Sequence, residues 1–175
     1  MRNALRMSAC AAVAALSISA GSISAQQSGP AYDASATQAE EYDREARSLL
    51  NERGEWGRAA SLFEKAAKNR GDDPKAAEDW RMAGMMAHYV GKNDQAREAL
   101  ERSAEVALEW GNVELAANSL IEAAWIARIQ GDGADTIELV RRAERLASSP
   151  LLERAERTAL MSRLSEPQPP AAPGS

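Results

Sequence analysis

Four glycines, Gly71, Gly91, Gly111 and Gly131, recur at a strict 20-residue interval in a stretch rich in Ala, Leu, Glu and Arg. Gly54 precedes the series by 17 residues. A helix commonly ends on a residue of positive φ, a conformation that glycine adopts without steric cost. The spacing therefore predicts a run of helices, each about 17 residues long, separated by tight turns. Such helices pair as antiparallel hairpins, and two intervals make a repeat of about 40 residues. The expected fold is an all-α hairpin solenoid of about three hairpins plus a C-terminal capping helix, with a polar cap face.

Residues 1–25 have the form of an export signal. Arg2 and Arg6 make a basic start, Met7 to Ala20 carries no charge, and Ile23-Ser24-Ala25 offers small or apolar residues for cleavage before Gln26. The protein is thus expected to be exported, periplasmic or secreted, with a bacterial cell envelope as the natural setting. The apolar stretch is too short to span a bilayer comfortably, and no second one follows it, so no stable membrane insertion is expected after cleavage. Cys10 is the only cysteine and lies inside this segment. The processed chain then has no thiol for a disulfide, a zinc-thiolate site or a nucleophile, which fits an oxidising compartment. Cleavage removes two arginines and no acid, taking the net charge from −5 to −7. With acids and bases interleaved along an acidic chain, nucleic acid is not an expected partner.

Beyond the signal, residues 26–36 read as a polar, disordered linker, 37–164 as the helical repeat domain and 165–175 as a disordered Pro-rich tail. The first helix is expected from about Thr37 to Arg53, with Ala39, Tyr42, Ala46 and Leu49 facing inward. Trp56, Ala59, Phe63, Ala66 and Arg70 form the stripe of the second, the last being its polar end. Gly71-Asp72-Asp73-Pro74 is a break and restart, with Asp73 as cap and Pro74 in the first position, where no amide donor is needed. The third stripe is Ala76, Trp80, Ala83 and Ala87. The fourth helix, capped by Asn93 or Asp94, presents Ala96, Leu100, Ser103, Ala107 and Trp110. The fifth has Val113, Ala117, Leu120, Ala124 and Ala127. The sixth, capped by Asp132, has Ile137, Val140, Ala143 and Ala147, and a short seventh opens at Ser149-Pro150 with Leu152, Ala155 and Ala159. Trp56 and Trp110, beside turn glycines, are expected to plug hairpin ends. No Val/Ile/Thr run with period-two alternation competes as strand.

Trp80-x-x-Ala83-Gly84-x-x-Ala87, followed by Gly91, Ala96, Leu100 and Ser103, resembles the tetratricopeptide repeat signature. Gly54, Ala59, Phe63 and Ala66 match the second half of a first repeat, and Leu120, Ala123, Ala124, Ala127, Gly131, Val140 and Ala143 match a third. The resemblance spans about residues 38 to 147. Asp43 and Arg47 depart from it, standing where the first repeat would carry Trp and Gly. The glycine periods of 37 and 40 are also longer than the family's usual ~34, so other α-hairpin solenoids stay open.

The resemblance implies a concave groove lined by the first helix of each hairpin. It would comprise Arg44, Ser48 and Asn51, then Arg81, Met85 and His88, then Asn118, Glu122, Trp125 and Arg128. Guanidinium groups suit carboxylates and carbonyls, while Met and Trp supply adaptable apolar contacts. The other reading of the same residues is that Met85 and Trp125 pack in the core and the arginines pair with nearby acids. The Lys/Asn set with which some relatives clamp a terminal carboxylate is absent. The function implied is a non-enzymatic protein–protein interaction module or scaffold, monomeric or weakly associating, that binds a peptide or protein segment.

Two other function classes have thinner support. Met82, Met85, Met86 and His88 share one helix, and thioether with imidazole suits Cu(I), but no second cluster completes a ligand set. No metal or other cofactor is therefore expected. An enzyme is not expected either: His88 is the sole histidine, no triad partner sits near it in a known motif, and the glycines stand singly in turns.

Overall fold

The structure, a computed structural model, describes residues 30–165. The expected export signal, the first residues of the linker and all but the first residue of the Pro-rich tail lie outside the described residues. Within them the chain forms α1 (Pro30–Ser48), α2 (Trp56–Arg70), α3 (Lys75–Tyr89), α4 (Asn93–Glu109), α5 (Val113–Gln130), α6 (Gly133–Ala147) and α7 (Arg154–Ser165), and no strand. A single 3-10 turn, Arg53–Glu55, leads into α2. α1–α2, α3–α4 and α5–α6 are hairpins, joined where α2 packs on α3 and α4 on α5. α3 also touches α5, and α7 rests on α5 and α6. Substantial packing thus joins neighbours only, which is the mark of a solenoid; a compact bundle would bring the first and last hairpins together.

The glycine interval has a direct structural cause. Gly71, Gly91, Gly111 and Gly131 all have positive φ, whereas Gly54 does not. At Gly91, Gly111 and Gly131 one closure is repeated. The glycine amide donates three residues back, to His88, Leu108 and Arg128, at 2.8–3.1 Å. The next amide, of Lys92, Asn112 or Asp132, donates five residues back, to Ala87, Ala107 or Ala127, at 2.8–3.0 Å. This pair of bonds satisfies carbonyls that a helix end otherwise strands. Asn112 and Asp132 then begin the next helix, their side chains accepting from the Leu115 and Asp135 amides. One residue closes a helix and opens its successor, so the interval is a helix plus a minimal turn. Before α4 the expected cap by Asn93 or Asp94 does not form; Lys92 occupies the cap position with no side-chain bond.

Alanine dominates the buried seams, with Phe63, Met86, Leu100, Leu120 and Ile126 as the large side chains fully enclosed. Small residues let helix axes approach closely, and α3 and α4 are in close approach at Gly84. A Cβ there would lie 2.7 Å from Leu100 Cγ and 2.8 Å from the Ala96 carbonyl oxygen.

Several sequence expectations need correction. α1 starts at Pro30, inside the expected linker, because proline suits a first helical position and the following residues include three alanines. It ends at Ser48, five residues early. On α6 the inward row is Leu139, Ala143 and Ala147, four residues apart, while Ile137 is 54% exposed. Ile137→Ser is accordingly expected to change unfolding free energy by no more than about 0.5 kcal/mol in a urea titration, as at other open surface sites. α7 begins at Arg154; Ser149-Pro150 starts a turn whose Leu152 is buried. In α7 itself Leu160 is buried and Ala155 and Ala159 face outward. Trp56 does close a hairpin end, its indole donating to the Leu50 carbonyl at 2.9 Å. Trp110 does not, being 54% exposed past the end of α4.

Candidate functional site: the face of the first helices

α1, α3, α5 and α7 are the first helices of successive units, and three of them are clasped by one buried acid. Glu122 of α5 is 1% exposed. Arg81 of α3 donates to both its oxygens, with Nε at 2.9 Å from Oε2. Arg163 of α7 donates to Oε1 at 3.3 Å and also to Asn118 Oδ1. Burial works against the charge on Arg81, but the Glu122 carboxylate more than offsets it and raises the guanidinium pKa. Glu122 and Asn118 are therefore internal fastenings of this face. Arg81 and Arg163 are half-buried, each with its donors directed at Glu122 or Asn118.

Two turns beyond Arg81, His88 meets Trp125 in a T-shaped contact, with ring centroids 5.0 Å apart. Its Nδ1–H donates to Asn93 Oδ1 at 2.9 Å, which occupies the side chain expected to cap α4. The ring row continues through Tyr89 to Trp56, at centroid distances of 5.4 and 5.1 Å. Met85 lies between Arg81 and His88 on α3, and both of these reach across to α5. Met85 is buried, and its place is in the core, not on the groove. Met86 is fully buried as well, and Met82 is half-buried against the core.

Arg44, Ser48, Asn51 and Arg128 are exposed, as the groove reading requires. Ser48 Oγ donates to the Glu45 carbonyl at 2.7 Å. Among the described residues Arg44 and Arg128 take part in no hydrogen bond or ion pair. Arg128 borders a cavity of about 180 Å³ between α5, α6 and α7, walled by Ile121, Ala124, Trp125, Val140 and Leu164. At the other end of the face, where α3 and α5 begin, Lys75, Glu78, Glu114 and Asn118 line an open cleft. The face is thus polar and acidic at one end, and apolar with a free cation at the other.

α1 is held to this face by a second network. Arg70, at the end of α2, is buried and donates to Asp79 of α3 at 2.6 Å and to Glu40 of α1 at 2.8 Å. Burial pushes the Asp79 carboxyl up against the pull of Arg70. Hydrogen bonds from Arg70 and Lys75 lower Glu40 from 4.5 to about 2. A carboxyl whose folded pKa lies below its unfolded one stabilises fully above the unfolded value and loses that contribution as pH falls towards the folded one. The window for Glu40 is therefore pH 4.5 down to about 2. Its half-exposed side chain limits the gain to less than about 1 kcal/mol. Glu40→Gln should accordingly be slightly less stable than the parent at pH 7 and equal to it near pH 2, measured by urea denaturation at each pH.

Sequence reasoning named Arg81, Glu122 and Asn118 as ligand contacts and missed Arg163. The signal was present: Arg81, Glu122 and Arg163 stand at two successive offsets of 41 residues, one structural repeat each. Among the described residues no group of three or more His, Cys, Asp or Glu is placed to hold a metal ion, and no helix is long and apolar enough to cross a membrane. No family model, curated protein or solved structure matches the chain.

Proposed function

We propose that this chain is an exported, non-enzymatic interaction module, tetratricopeptide-like in kind, that docks a protein or peptide segment on the face of α1, α3, α5 and α7. The observation that carries the reading is the pair of exposed arginines, Arg44 and Arg128, which have no partner among the described residues, on a face where Arg70, Arg81 and Arg163 are fastened to Glu40, Asp79 and Glu122. A free guanidinium can form a bidentate pair with an incoming carboxylate or bond a peptide carbonyl. The signal-like form of residues 1–25 supports a partner in the bacterial periplasm or envelope. A non-enzymatic role is supported by the single histidine, whose ring is engaged by Asn93 and Trp125. Three hairpins offer a short face, so a short segment held with modest affinity is the fitting partner.

The test is recovery of partners from envelope extract by the full chain and by an Arg44→Glu/Arg128→Glu variant. Neither arginine fastens the fold, so the variant should keep the parent's helicity and melting temperature. Interface arginines are frequent hot spots, and recovery of the specific partner should fall at least about tenfold. Equal recovery by both proteins would refute the assigned face.

A further inference from the structure

We infer that the cavity between α5, α6 and α7 is the anchor site of this face, and that it takes one branched aliphatic or aromatic side chain flanked by an acidic residue. This deepens the docking function proposed above and rests on it. Size is the first ground. The cavity measures about 180 Å³. An apolar protein cavity of roughly 150 Å³ accommodates benzene, so a Leu, Ile or Phe side chain is the matching guest. The wall is the second ground: Ile121, Ala124, Val140 and Leu164 offer aliphatic carbon, and Trp125 offers its indole. Trp125 is braced by its T-shaped contact with His88.

Charge is the third ground. Two cations border the cavity, and their states differ. Arg163 is engaged by Asn118 and Glu122, while Arg128 is exposed and has no partner among the described residues. Burying an apolar group beside Arg128 removes water from the guanidinium, which favours an acidic neighbour on the guest. The buried Glu122 cannot meet Arg128's need, because Arg81 and Arg163 already occupy it. On a chain with a net charge of −5, this end of the face selects an acidic–apolar segment by local charge.

Selection of random octapeptides displayed on phage against the immobilised full chain tests this. Enriched clones should share Leu, Ile or Phe within two residues of Asp or Glu. Against Arg128→Glu the acidic preference should drop at least tenfold while the apolar preference persists. Against Val140→Phe, which fills the cavity from its wall, the apolar preference should drop at least tenfold. Enrichment of peptides of other chemistry, or a preference indifferent to both substitutions, overturns the anchor assignment and leaves docking standing. Clones resembling the chain's own Glu-Pro-Gln-Pro-Pro at 166–170 give the cavity to that segment and overturn the partner assignment. No enrichment of any clone overturns docking and the anchor together.

Discussion

Gly84→Leu should unfold at markedly lower urea concentration than the parent chain, with a loss at the top of the ~1–3 kcal/mol range typical of overpacking or above it. The reason is which atoms a side chain would meet. Leu100 could shift by changing rotamer, but the Ala96 carbonyl oxygen, 2.8 Å from the Cβ position, belongs to the α4 backbone. Relief requires the two helices to move apart along a seam of small residues. Even Gly84→Ala should destabilise, although alanine gains about 1 kcal/mol in intrinsic helix propensity over glycine. Gly57 in α2 is the control, since a Cβ there meets only Val90 Cγ1, at 4.0 Å. Gly57→Ala should be neutral or mildly stabilising. An unchanged midpoint in Gly84→Leu would mean that α3 and α4 do not pair as described.

Arg70→Ala should have the largest effect of any single change considered, about 3–5 kcal/mol, the usual cost of removing one member of a buried ion pair. Arg70 and Asp79 have side chains only 5% and 2% exposed. Without the guanidinium, Asp79 is left as a carboxyl already raised by burial and deprived of its strongest partner. Glu40 is half-exposed and can return to water, so the penalty concentrates at Asp79. Replacing both Arg70 and Asp79 by leucine should recover much of the loss, because a buried pair is often no more stabilising than apolar residues filling the same space. A double-mutant cycle by urea denaturation measures this. A loss under about 1 kcal/mol for Arg70→Ala would show that the pair is not enclosed, as exposed pairs contribute only that much.

The parts of this architecture legible in the sequence are those set by local backbone chemistry. The 20-residue glycine series marks positive-φ turns because few other residues tolerate that conformation, and Gly84 marks a close helix approach for want of a side chain. Boundaries and faces were less legible where a short-range pattern had two solutions. Ile137 and Leu139 are both apolar and two residues apart on α6, and only packing on α5 decides which turns inward. Likewise Pro30 is a good helix start that composition alone assigns to a linker. The site was legible as a set of positions but not as roles. Met85 and Glu122 lie on the expected helix faces, yet cross-helix partners turn one into core and the other into a clasp. Those partners, Arg163 above all, come from another repeat and appear only when the 41-residue offset is followed beyond the third hairpin. Of the Arg70–Asp79 pair only Arg70 was legible, as the polar end of the inward stripe of α2; no spacing marks Asp79 as its partner.

The central claim is that the first-helix face, and not the outer face of α2, α4 and α6, receives the partner. Site-specific photo-crosslinking in envelope-bearing cells tests it most directly, with a photoreactive residue placed in turn at Arg44, Arg128 and, on the outer helix α4, Arg102. The account predicts one common adduct from positions 44 and 128 and none from position 102. Adducts from position 102 alone, or from none of the three, would contradict it.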